Sequence, residues 1–121
     1  VEGPGEVSSR LAVADIGVLH LPNRDVWRHA SPLKVAEYAA SGLLVVASDV
    51  SGLEPYRDCE WMTLIPLGDD VACRNALHDL CDLDLEERKR LGALARQDAE
   101  RSMSWEQCTQ SLHQMLLEVK R

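Results

Sequence analysis

Ser31, Pro32, Leu33, Lys34 and Glu37 place a hydroxyl, an ammonium and a carboxylate within one short stretch, and His29 stands two residues upstream. A serine followed by proline, just before an apolar-periodic run, reads as a helix start. Ser31 is expected to cap free amides, and Pro32 to take the first helical position without losing a hydrogen bond. The free amides and positive dipole end of such a helix suit an anion such as a diphosphate, here over Ser31, Pro32 and Leu33. Lys34 falls in the first turn, where a cation opposes the dipole and can answer a negative ligand; the plainer reading is an exposed surface lysine. Glu37 lies six residues past that cap, about 9 Å along the axis. From there its carboxylate can accept hydrogen bonds from both hydroxyls of a ribose whose phosphates sit at the helix end. The plainer reading pairs Glu37 with Lys34.

The elements that must carry these groups follow from the pattern around them. Residues 16–21 form a mostly apolar run ended by Pro22, residues 23–30 a polar loop, and residues 31–41 the helix, with Gly42 as its stop. A second apolar run, 43–48, follows at once, and a third candidate strand covers 61–66. Strand, helix, strand at this spacing is a βαβ unit with parallel strands. Ligands of open parallel sheets bind beyond the carboxyl ends of the strands, so the loops at 23–30 and 48–52 and the helix start at Ser31 are expected on one side. Residues 1–6 read as a loop and 8–14 as a short helix. After Gly68 the chain reads as helical. Asp69 or Asp70 caps a helix to about Cys81, Asp84 with Glu87 opens a second towards Arg101, and Ser104 with Gln107 opens a third. The last has an apolar face of Trp105, Cys108, Leu112, Met115, Leu116 and Val119. Charged residues 86–90 read as a solvated face with i, i+4 pairs. The expected fold is α/β, with about three parallel strands, flanking helices and a helical tail, in one domain over residues 1–121.

Composition narrows the function. The 121 residues are 45% apolar and only 4% aromatic, with no phenylalanine, which favours an aliphatic α/β core. A formal charge of −7 argues against nucleic acid as a partner, so any phosphate must be held locally. The four cysteines lack a C-x-x-C pair and read as free thiols in a cytoplasmic protein; Cys73, His78 and Cys81 give only a loose match to a zinc set, and no metal is expected. The longest apolar run is too short to cross a bilayer, so no transmembrane segment is expected.

The stretches Ala14-Asp15-Ile16-Gly17-Val18, Ser31-Pro32-Leu33-Lys34 and Glu37 through Gly42 to Ser48 resemble the donor-binding half of group 1 glycosyltransferases of the GT-B fold, over about residues 11–68. The resemblance implies a partial Rossmann-like domain that binds a nucleoside diphosphate sugar for retaining transfer to an acceptor hydroxyl, with no required metal or cofactor. It makes Glu37 the counterpart of the second glutamate of an E-x7-E motif, which binds ribose. It puts the diphosphate at Ser31, Pro32 and Leu33, with Lys34 as a phosphate stabiliser. His29 stands where the first glutamate of that motif would be, and is read as a donor-sugar or phosphate contact. Ser51-Gly52-Leu53-Glu54 keeps one glycine of the family's Gly-Gly pattern, and Glu54 receives no role. The resemblance also implies that an acceptor-binding N-terminal domain and the first donor-domain strands lie elsewhere in a parent chain. The portion alone is then expected to be inactive, and to self-associate through an exposed sheet edge or its last helix. Two rival readings are a non-catalytic nucleotide-binding or regulatory module, and a structural α/β domain with no ligand.

Overall fold

Three short apolar runs pair in parallel in the order β1 (Ile16–Leu19), β2 (Leu44–Ser48), β3 (Met62–Ile65), in a computed structural model that describes residues 3–119. Ile16 pairs with Leu44 and Val45 with Met62, so β2 is central and all five of its residues are buried. The predicted α/β fold with three parallel strands is therefore present, each strand slightly shorter than its apolar run. A strand ends where backbone pairing ends, and pairing stops before the hydrophobic stretch does.

Helices cover both faces. The helices α3 (Leu33–Ala40) and α5 (Leu85–Ser102) bury Val35, Ala39, Leu91, Ala95 and Ala99 in a core with Leu44, Val45, Ala47 and Trp61. On the other side α4 (Asp70–Cys81) packs Cys73 and Ala76 against Val46 and Ile65. From Val45 through Val46 to Ala47 the side chains alternate between the two layers, as the period of two along a strand requires, while Leu44 at the strand's start joins the first layer. Gly42 ends α3 with a φ of 76°, a left-handed backbone conformation that other residues rarely adopt.

Local chemistry explains the departures from expectation. The first helix, α1, covers Pro4–Leu11 rather than residues 8–14, because Pro4 takes the first helical position and the Glu6 carboxylate accepts the Gly3 N–H at 3.1 Å. Residues 3–6 are therefore not a loop, and Val1 and Glu2 lie outside the described residues. The polar loop 23–30 contains a helical turn, α2 (Asp25–Arg28), in which Asp25 accepts from Arg28 at 3.1 Å. The turn after β2 continues into a 3-10 helix, Ser51–Tyr56. In the charged stretch 86–90, Arg90 pairs with Glu87 at i, i+3 (2.7 Å) and crosses to Glu60 (2.9 Å), holding the Glu87 carboxyl below its ordinary range. Arg88 turns inward and is half-buried rather than solvated.

The tail helix α6 (Trp105–Val119) opens at Ser104, whose hydroxyl accepts the Gln107 N–H as expected, yet it buries no residue and leaves Trp105 83% exposed. Among the described residues, no helix is long and apolar enough to cross a membrane.

One thiol is set apart by the core. Burial pushes the Cys59 thiol up, and the neighbouring Asp98 carboxylate adds to the push. The folded chain then keeps a proton that the unfolded chain releases. Folding stability is untouched below the ordinary thiol range and falls as pH rises above it. We expect Cys59 to react with a neutral alkylating reagent more slowly than the exposed Cys81 and Cys108. Equal rates, followed by mass spectrometry of the folded chain, would contradict this environment.

Candidate functional site

The helix that carries the candidate residues begins one position later than expected. Pro32 is its N-cap, with φ −71° and ψ 118°, and α3 starts at Leu33; Ser31 makes no capping hydrogen bond. The reason is tertiary. The Gly52 N–H donates to the Ala30 carbonyl at 3.1 Å, and a Cβ on Gly52 would lie 2.5 Å from both the Ala30 oxygen and the Ser31 Cα. That contact holds the Ala30–Ser31 backbone in the loop, out of reach of the first helical amides.

The same contact puts the loops after β1 and β2 on one side of the sheet, as the βαβ reading requires. Further bonds lace this edge. The Leu21 N–H donates to the Ser48 hydroxyl at 2.7 Å, the Gly68 N–H to the Leu21 carbonyl at 2.8 Å, and the Asp49 N–H to the Ile65 carbonyl at 2.7 Å. Ser48 is buried, and the Leu21 amide satisfies its oxygen. His20, at the end of β1, reaches Asp70 at the start of α4, with Nε2 2.6 Å from Oδ1. The sequence reading missed both Ser48 and His20, since each acts through a residue distant in the chain.

At the start of α3 the amides meet no side-chain cap, and the first turn holds no acidic residue. The other long helices differ. Asp69 accepts the Ala72 N–H at 2.9 Å, and Asp84 accepts the Glu87 N–H at 2.8 Å. The positive end of α3 is therefore offset by no carboxylate of its own, and Lys34 adds a full charge beside it.

Lys34 and Glu37 are both exposed, and neither joins an ion pair among the described residues. They do not pair with each other. Together with Tyr38 they line a groove of about 240 Å³ whose other wall is Val7, Arg10 and Leu11 of α1. With the cap at Pro32, Glu37 lies five residues along, about 7.5 Å down the axis. The structure thus brings Lys34 and Glu37 together on one groove beside the helix start. Ser31, Pro32, Leu33 and His29 do not line that groove; Leu33 is 75% exposed and His29 is an exposed residue ending the α2 turn. Arg10 and Leu11 fall in the helix expected at 8–14, whereas the first turn of α1 escaped the sequence reading because residues 1–6 look like a loop. Its signal was the Gly3-Pro4 start with Glu6 three residues on.

Nearby, Arg57 is already engaged. Its guanidinium donates to Glu54 at 3.0 Å and to Asp49 at 2.6 Å, and these two carboxylates push its pKa further up. Glu54, which the sequence left without a role, is thus an ion-pair partner of Arg57.

No family model, no curated protein and no solved structure matches this chain. Among the described residues, no three His, Cys, Asp or Glu side chains gather as a metal set. Cys73 is buried against the sheet while His78 and Cys81, on the same helix, are exposed.

Proposed function

We propose that this chain is the donor-binding portion of a cytoplasmic, retaining glycosyltransferase, holding a nucleoside diphosphate sugar between the start of α3 and Glu37. One observation carries the reading. The uncapped positive end of α3 opens at the carboxyl ends of parallel strands, with Lys34 in its first turn and, further along the same helix, a Glu37 that joins no ion pair among the described residues. The resemblance over residues 11–68 supports a diphosphate at this helix start, there over Ser31, Pro32 and Leu33, with Lys34 as a stabiliser and ribose at Glu37; the N-cap at Pro32 moves the amides one position on. Amides at Leu33 and Lys34, with the Lys34 ammonium, stabilise the diphosphate, and the Glu37 carboxylate accepts from the ribose hydroxyls. In a parent enzyme this stabilisation acts on the departing diphosphate, where fixed donors lower the barrier. The acceptor belongs to an N-terminal domain of that parent.

A second reading is a nucleotide-binding module without chemistry. It is favoured by the position of His29, the one candidate for the donor sugar, which is exposed at the end of the α2 turn and lines no groove with Lys34 and Glu37.

Calorimetric titration of UDP, GDP and ADP against the chain tests the crevice. At least one nucleotide should bind, and Glu37→Ala should weaken it about tenfold, the worth of one charge-assisted hydrogen bond pattern to ribose. Binding by none of the three removes the reading. Transfer by the parent enzyme, lost in Glu37→Ala, separates an enzyme from a module.

A further inference from the structure

The end of the sheet away from the α3 start carries a second groove, rimmed by cations. It has a volume of about 310 Å³ and is lined by Asp15, just before β1, by Ser41 and Gly42 at the end of α3, and by Arg88, Lys89 and Arg96 of α5. Its shape has a backbone cause. A Cβ on Gly92 would lie 2.4 Å from the Gly42 carbonyl oxygen, so α5 meets the end of α3 backbone to backbone. The three cations, at i, i+1 and i+8 on α5, rim the space instead of filling it.

Arg88 is the informative member. Its Nε is buried and has no hydrogen-bond partner, whereas buried donors in folded proteins nearly always have one. A simpler role for these cations would be to neutralise Asp15 and the negative end of α3. That role acts through space and leaves the Arg88 donors without an acceptor, since neither Asp15 nor an α3 carbonyl accepts from them among the described residues. Lys89 joins no ion pair among the described residues, and Arg96 is shared with Glu100 at 3.2 Å. We propose that this groove binds a small phosphate-bearing ligand, whose oxygens take the Arg88 fork and the Lys89 ammonium. The two outer Nη groups of an arginine together fit two oxygens of one phosphate, end-on from the groove. Charge sets the strength. Asp15 and the α3 end subtract from Arg88 and Lys89, and Glu100 offsets Arg96, so the excess positive charge is small and binding is expected to be weak. This site is independent of the nucleotide crevice and does not rest on its assignment.

The test is amide NMR of the whole chain, titrated with inorganic phosphate and, at matched ionic strength, with sodium chloride. Phosphate should move the amides of Gly42 and of Arg88 to Gly92 to saturation, with chloride moving them little. Arg88→Gln and Lys89→Gln should each weaken binding about tenfold. Equal shifts with chloride would overturn the proposal, as would shifts confined to the first turn of α3. Lys89 is exposed, so Lys89→Gln decides the matter if Arg88→Gln fails to fold; undiminished phosphate binding in that variant would also overturn it.

Discussion

Trp61→Ala should lower stability by about 3–5 kcal/mol, enough to leave a domain of ordinary stability close to unfolding. Trp61 is 2% exposed and is the largest fully buried side chain, packed at the joint between β3 and α5, with Tyr56 tilted against it at 6.1 Å between ring centroids. Its indole N–H donates to the Asp98 carboxylate at 2.7 Å. The two contributions separate by substitution. Asp98→Ala leaves that N–H buried without an acceptor and should cost about 1–3 kcal/mol. Asp98→Asn keeps an oxygen acceptor and should cost less. In a Trp61→Phe background there is no N–H to strand, so Asp98→Ala should become much milder. Urea denaturation of the parent chain, the two single variants and the double variant reads the coupling. An Asp98→Ala penalty that is the same in the Trp61→Phe background as in the parent chain would show that the hydrogen bond contributes nothing.

That pair also shows what a sequence can and cannot reveal. Trp61 and Asp98 stand far apart in the chain, and no local pattern links them; burial of the indole next to α5 creates the need for an acceptor. The inward turn of Arg88 is of the same kind, because helical periodicity alone places it among solvated charges. Local chemistry was legible at most of the helix ends where it acts alone. Asp69, Asp84 and Ser104 cap the helices expected of them, since a cap needs only an oxygen and an amide three residues on. Gly42 stops α3 for an equally local reason. The strands were legible because unbroken aliphatic runs between turn residues leave few alternatives.

At the site the two kinds of information meet. Lys34 and Glu37 share a groove because both ride one helix, and helix spacing is readable from sequence. Ser31 is the counterexample. By residue type it is a cap, and the Gly52 contact overrides that preference by holding its backbone in the loop. The 1–6 stretch failed differently: its two glycines and proline look like punctuation, although Gly3 and Pro4 are also what begins a helix.

Gly52→Ala is expected to have the second-largest effect, because its new methyl group would meet backbone on two sides, at 2.5 Å from the Ala30 oxygen and from the Ser31 Cα. Neither atom can swing away as a flexible side chain could. Relief requires the loop before α3, or the 3-10 helix that begins at Ser51, to move as a unit, at a cost of about 1–3 kcal/mol. The Gly52 N–H bond to Ala30 would be strained in the same step. Since this contact fixes where α3 begins, the displacement should reach the Leu33 and Lys34 amides and lower nucleotide affinity along with stability. Glu37→Ala provides the contrast: Glu37 is exposed and joins no ion pair among the described residues, so stability should change by less than about 0.5 kcal/mol while affinity falls. Melting temperature and nucleotide titration, measured on both variants, place the loop contact in the argument. If Gly52→Ala lowers stability and leaves affinity intact, the start of α3 is not where the phosphates bind, and Glu37 would have to act with groups other than these amides.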